Sequence, residues 1–360
     1  KQCACKSQHT PPPNIIRYHS IHKISPHILS MRKVQQSFLY DIINYTQGET
    51  MTIRLGYACI NMHLQKNFKV TTNRGMIKRT FKAKGIPYAS ELAEFNTRNI
   101  LPILQWNNQN NIKVFRISSC LLPWGSEYEI EDLPDANNIK RNLAKAGQYA
   151  IDNGIRLSFH PGPFNILTSP KEHVVKNSVT DLRMHGRLMD LLLQPRSRWA
   201  KINIHIGASY GDKVSAIDRW CKNYELLPES VKSRITLEND DKASMYSAKD
   251  LYKVYERLGV PTVFDYHHHK FCTGGLSEEE ALKVAASTWG DVTPQCHYSE
   301  SKAINENLKV KPQAHSDYIF NRVDDHGLDL DVVFEAKAKE QAILKYRELH
   351  GETNCLLAAK

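Results

Sequence analysis

Lys201-Ile202-Asn203-Ile204-His205-Ile206, a helical pattern over 213–232, and then Ile235-Thr236-Leu237-Glu238 decide the fold. Two short β-branched runs flank one amphipathic stretch. That is a β-α-β unit, and it calls for parallel strands with a helix laid across them. Both strands end on a side chain that can ligate a metal, His205 and Glu238.

The same alternation continues outward on both sides. Upstream come Ile53-Arg54-Leu55-Gly56-Tyr57, Lys113-Val114-Phe115-Arg116-Ile117-Ser118 and Arg156-Leu157-Ser158-Phe159-His160. Downstream come Thr262-Val263-Phe264-Asp265, Gln295-Cys296-His297-Tyr298 and Val332-Val333-Phe334-Glu335. Helical patterns fall near 88–111, 138–153, 171–193, 247–258, 277–289, 315–324 and 340–349. Ser247 is an N-cap candidate, Gly259 and Pro261 are stop signals, and Ser277 with Glu280 has capping-box spacing. Strand followed by helix eight times predicts a single (β/α)8 TIM barrel, with a doubly wound open sheet as the alternative.

The barrel is expected over 51–350, with a C-terminal tail over 351–360. Residues 1–50 read as a poorly structured extension: Pro11-Pro12-Pro13, scattered His, and no apolar core of a secretory signal. No apolar run approaches the ~20 residues of a membrane span. Eight cysteines lack CxxC spacing in the barrel region, which suits reduced thiols in an intracellular protein. The chain carries 48 Lys/Arg against 38 Asp/Glu, a net +10. Residues 1–50 hold six basic and two acidic residues, so the barrel is mildly basic without a single-sign run. A basic cleft for a polyanion fits this balance.

The strand ends carry the chemistry. His160, His205, Glu238, Asp265 with His268 just after it, His297 and Glu335 close six successive strands, and His315 could join them. A parallel barrel puts all of these on one face. A lone strand-end His is more often structural, but six strands in a row are not explained that way. Packed acceptors of this kind need a cation, and His with carboxylates but no Cys suits Zn or Mn. The set exceeds one tetrahedral site, so two or more ions and a bridging carboxylate are expected. Such centres hydrolyse phosphodiesters. In His267-His268-His269 only some rings can face the site; His268 is the expected member, and the others should support it or face solvent.

With these residues in hand, the sequence resembles the UV damage endonuclease family from about Thr52 to about Glu348. The carrying segments include Ser158-Phe159-His160-Pro161, Asn203-Ile204-His205-Ile206-Gly207, Thr236-Leu237-Glu238-Asn239-Asp240-Asp241-Lys242 and Phe264-Asp265-Tyr266-His267-His268. His297-Tyr298-Ser299 and Phe334-Glu335-Ala336-Lys337 complete them. The resemblance implies an endonuclease IV-like barrel that nicks DNA 5′ to UV photoproducts, and abasic sites as well, using two or three divalent ions. Mn2+ is the usual description, with Mg2+ or Zn2+ admissible. It implies metal ligation by His160, His205, Glu238, Asp265, His268, His297, His315 and Glu335, with Glu238 bridging. Glu238, Asp265, His205 and Glu335 are the expected catalytic members.

The resemblance further implies that Tyr57 and Asn61 enter the DNA near the lesion, and that the loop after His160 wedges into the duplex. A photoproduct weakens pairing and stacking, so extrusion costs less there. Lys337 lies where it could touch phosphate. Three positions depart from the family pattern. Pro163 replaces the wedge Gln, leaving Phe164 as the stacking residue. Gln295 stands where relatives often hold a carboxylated Lys. Glu127 occupies a loop position that often carries His. The expected partners are damaged duplex DNA and downstream excision-repair factors, with the protein itself a monomer. Alternatives are an abasic-site endonuclease, a metal-dependent sugar isomerase on the same barrel, and a catalytically impaired lesion-binding protein.

Overall fold

The computed structural model describes residues 53–351. The expected extension over 1–50 lies outside them, as does the expected tail apart from Gly351.

Eight strands run in the order β6-β5-β4-β3-β2-β1-β8-β7, and every pairing between them is parallel. They are β1 (Ile53–Cys59), β2 (Val114–Ile117), β3 (Arg156–Phe159), β4 (Ile202–His205), β5 (Ile235–Glu238), β6 (Thr262–Val263), β7 (Gln295–Tyr298) and β8 (Leu330–Phe334). A bridge between Asp265 and His297 brings β6 to β7, and His297 N donates to Phe264 O at 2.9 Å. The sheet thereby curls into the expected barrel.

The helices are α1 (Met62–Phe68), α2 (Lys78–Arg98), α3 (Ile100–Gln109), α4 (Ala136–Asp152), α5 (Glu172–Leu191), α6 (Lys213–Tyr224), α7 (Glu229–Lys232), α8 (Ala248–Leu258), α9 (Tyr266–His269), α10 (Glu278–Ala286), α11 (Lys302–Asn305) and α12 (Glu340–Leu349). Ser247 caps α8 and Gly259 ends it at φ 65°; Ser277 and Glu280 form the anticipated capping box on α10.

Period-2 alternation divides each strand between two cores. Ile202 and Ile204 face outward with Ala216, Ile217 and Trp220 in the large apolar cluster. The other parity looks into the barrel, where Ala58, Val114 and Val333 make a small separate cluster. Gly56 has no space for a side chain: a Cβ would stand 2.3 Å from Val114 O. The deepest layer is ionic. Asp331 receives Arg54 at 2.6 Å and Arg156 at 2.8 Å, and Arg156 also donates to Thr293 O and Trp199 O.

Three expectations need correction. The helix over 213–232 is two, because Pro228 cannot continue α6 and instead precedes α7. The helix over 88–111 divides into α2 and α3, and α2 reaches back to Lys78 only across a kink at Gly85, whose φ is 63°. Segment 315–324 is not helical. Its backbone is spent on tertiary partners: Ser316 N donates to Glu300 O at 2.8 Å, and Phe320 N and Asn321 N donate to the buried Glu300 carboxylate at 3.0 and 2.8 Å. A helix there would leave Glu300 buried without these donors.

Candidate metal centre at the barrel mouth

Above the apolar plug, the inward parity becomes polar. His205 and Glu238 are directly opposite each other in the β4–β5 register. Their side chains, with those of β3, β7 and β8, meet over the C-terminal ends of the strands.

Two groups of ligand atoms result, each within a 4.8 Å span. One is His160, Glu238, His297 and Glu335; the other is His205, Glu238 and His268. Glu238 belongs to both. Its Oε2 is 2.9 Å from His160 Nε2, and its Oε1 is 3.1 Å from His297 Nδ1 and 3.5 Å from His268 Nδ1. His297 Nδ1 is also 3.3 Å from Glu335 Oε1. Asp265 and His315 stand one step out: Asp265 Oδ2 is 3.9 Å from His268, and His315 Nδ1 is 3.6 Å from Glu335 Oε2.

Backbone carbonyls select the ligand nitrogens. His268 Nδ1 lies 2.9 Å from Asn239 O, His315 Nδ1 lies 3.0 Å from Glu335 O, and His160 Nδ1 lies 3.3 Å from Pro161 O. A proton on Nδ1 satisfies each contact and leaves the Nε2 lone pair for an ion. Asp240 Oδ1 stands 3.1 Å from His205 Nδ1 as an ion-pair partner. Asp265 caps α9 by accepting from His268 N at 2.8 Å, so the Asp-x-x-His spacing aims the imidazole as it starts the turn.

These residues fit divalent ions. Glu238 Oε1, Asp265 Oδ2 and His297 Nδ1 are buried without a hydrogen-bond partner among the described residues. Glu238 Oε1 and His297 Nδ1 lie 3.1 Å apart without satisfying one another, which is the disposition of atoms aimed at a common cation, and Asp265 Oδ2 is left open one step out.

The local field agrees. Burial pushes the Glu238 carboxyl up, but His297, His205 and His160 outweigh it and hold it well below the usual range. Glu335 is likewise held low against burial by Arg116 and His297. Burial raises Asp265 to about 7, helped by Glu238 and Glu335. Burial opposes charge on His205, but Glu238 and Asp240 raise it to about 10; for His268, Asp265 and Glu238 overcome burial and raise it to about 9. Burial lowers His297 to about 4.

Several residues escaped the strand-end reading. Arg116 donates to Glu335, and Asn203 donates to Glu238 while accepting from Thr236 Oγ1 at 2.9 Å. Both lie within the quoted strands at the inward parity, which was the available signal. Lys201 was not anticipated. It is fully buried, its Nζ is 3.3 Å from His297 Nε2, and burial lowers it to about 7. Gln295 is also buried, with both amide atoms lacking hydrogen-bond partners among the described residues. A buried lysine thus lies against His297, supplied by the residue that leads into β4.

Two residues expected to contact DNA lie in the protein interior. Tyr57 and Asn61 are fully buried. Tyr57 points outward from β1, where its hydroxyl donates to Asn107 at 2.7 Å and accepts from Asn61 at 3.0 Å, while Asn61 caps α1. None of the three consecutive His faces solvent: His267 packs on Phe271 and His315, and His269 packs on Phe264. Pro163, Phe164, Glu127 and Lys337 are all exposed, with Phe164 at 65%.

Fold and site together define a barrel enzyme whose mouth has ligand groups for more than one ion. The chain belongs to the UV-endonuclease UvdE family, whose model matches residues 53–355. It is 30% identical to the UV DNA damage endonuclease of Bacillus cereus (strain B4264), over 82% of this chain and 93% of that one. It is 32% identical to the UV-damage endonuclease of Schizosaccharomyces pombe, over 81% of this chain and 50% of that one, so it spans half of the yeast relative. The crystal structure of SacUVDE superposes with a TM-score of 0.71 at 30% identity, covering 83% of this chain and 98% of that one. Among the described residues no helix is long and apolar enough to cross a membrane.

Proposed function

We propose that this protein is a divalent-metal-dependent endonuclease that cuts duplex DNA immediately 5′ to UV photoproducts, within cells, as the opening step of excision repair. The observation that carries the reading is Glu238, shared by two ligand groups in the barrel mouth of a chain from this family. His160, His297 and Glu335 would hold one ion with Glu238, and His205 and His268 would hold a second; Asp265 and His315 stand beside them for a third or for support. Mn2+ suits the mixed imidazole and carboxylate set. When bound, the ions supply Lewis acidity to the phosphate and to the attacking water.

The side chains do the rest. Asn203 and Thr236 fix the Glu238 carboxylate, and Arg116 fixes Glu335. Lys339, half-buried beside Arg116 and Glu335, offers a cation to the scissile phosphate. Phe164 projects far enough to stack on a base beside a turned-out lesion. The Glu127 carboxylate is exposed and makes no hydrogen bond or ion pair with a described residue, so it acts on DNA through repulsion alone.

The test is a labelled duplex with one cyclobutane dimer, and a second with one abasic site, each with Mn2+ or EDTA. The reading expects a Mn2+-dependent cut 5′ to the dimer with 3′-hydroxyl and 5′-phosphate ends. A cut at the abasic site alone would favour the abasic endonuclease, a reading that Pro163 in the wedge loop motivates. Binding without any cut would make it a lesion-binding protein.

A further inference from the structure

The loop after β7 carries a feature that the metal centre does not use. Residues 302–314 leave the barrel at Ser301 and return at His315, and these two form an antiparallel bridge. The neck is firmly held: Lys302 N donates to Ala314 O at 2.7 Å, and Ser301 Oγ donates to Pro312 O at 2.7 Å. Asn305 donates to Glu300 at 2.5 Å, and Lys302 pairs with both Glu306 and Asp317. A lobe fixed this way should bury its apolar side chains. Instead Leu308 is 87% exposed and Ile304 80%, the two highest values among the exposed large apolar residues. Beside them Lys309 and Lys311 are exposed and make no ion pair with a described residue.

Position gives this tip its meaning. In the strand order, β7 lies four strands from β3, so their loops stand on opposite sides of the mouth. Phe164 projects from the β3 side and Leu308 from the β7 side, with the ligand cluster between them. A duplex crossing the mouth meets both. Unstacking a lesion opens a gap in each strand, and one apolar side chain can fill only one gap. Leu and Ile are side chains that wedge between base steps, and flanking lysines grip phosphates without reading sequence.

We propose that the 302–314 lobe is a second DNA wedge, with Leu308 entering the stack opposite Phe164 and Lys309 and Lys311 holding the neighbouring phosphates. This rests on the endonuclease reading above.

The test uses the full chain with Mn2+ and two duplexes holding one cyclobutane dimer. One is fully paired; the other has mismatched bases opposite the dimer, so it is already open. A 2-aminopurine beside the dimer's partner bases reports unstacking. Leu308→Ala should lower kcat/KM on the paired duplex about tenfold or more, leave the open duplex within about threefold, and weaken the 2-aminopurine rise. Lys309→Ala with Lys311→Ala should flatten the salt dependence of binding by about two in log–log slope. Leu308→Ala acting as wild type on the paired duplex, or losing equally on both, would overturn the proposal. So would a wild-type dimer in solution that Leu308→Ala dissociates, since the tip would then be a contact between copies. If the wild type cuts neither duplex, the endonuclease reading fails; the 2-aminopurine signal needs only binding and still decides the wedge.

Discussion

Glu238 takes its place between the two ligand groups from neighbours that neutralise it and from Asn203, which holds it. Asn203→Leu keeps the volume near constant but removes that donor. Mn2+ affinity should fall about 10- to 100-fold, as when an outer partner of a metal ligand is lost, and calorimetric titration would show it. An unchanged affinity would mean that the imidazoles alone position the carboxylate. Tyr57 gives the opposite prediction. Because its hydroxyl is buried against Asn107 and Asn61, Tyr57→Phe should cost about 1–2 kcal/mol in denaturant unfolding and leave DNA cutting intact. The strand-end His and carboxylates were legible in sequence because ligand chemistry restricts residue type. The burial of Tyr57 was not legible because family position does not report which way one side chain points. Lys201 shares the inward parity of Asn203 and His205, but a lysine opening a strand also reads as a solvated end, so its burial was not anticipated.

At the scale of elements, the single turn α9 shows how a short motif does two jobs. One Asp265 oxygen caps His268 N, and the other faces the cluster without a partner. Asp265→Asn should therefore preserve the turn, since Asn caps well, while weakening ion binding. Circular dichroism and thermal unfolding should match wild type, and Mn2+ titration should not. Matching both would remove Asp265 from the centre. Capped helices such as α8 and α10 were readable because their signals are local. The 315–324 segment was not, because Glu300 organises it from a distance. Nor were α1, α9 and α11, which are too short to show a period.

For the molecule as a whole, the barrel was legible from alternation repeated eight times. Its ionic floor was not, because Arg54, Arg156 and Asp331 are far apart in sequence and each reads as a surface charge. Asp331→Ala leaves two guanidinium groups facing each other in the barrel interior. It should destabilise the fold by about 3–5 kcal/mol in denaturant unfolding, as for a broken buried pair. The mouth adds a pH dependence. In the metal-free protein, His205 at about 10 and His268 at about 9 hold protons that a free imidazole loses near 6.5. Their stabilising contribution is complete below about 6.5 and fades as pH rises through 9 and 10. Ions must displace those protons, so uptake at pH 7 should release protons and affinity should climb with pH. Titration in buffers of different ionisation heat checks this, and the absence of a buffer-dependent heat would contradict it.

The most direct measurement is the number of Mn2+ ions bound per chain, read by elemental analysis and by electron paramagnetic resonance, in wild type and Glu238→Gln. One carboxylate joining two ligand groups predicts at least two ions and an exchange-coupled spectrum in the wild type. In the variant it predicts at most one ion, no coupling, and loss of cutting at a cyclobutane dimer. Two ions retained in Glu238→Gln, still coupled, would show that the bridge lies elsewhere and would contradict the assignment of the centre.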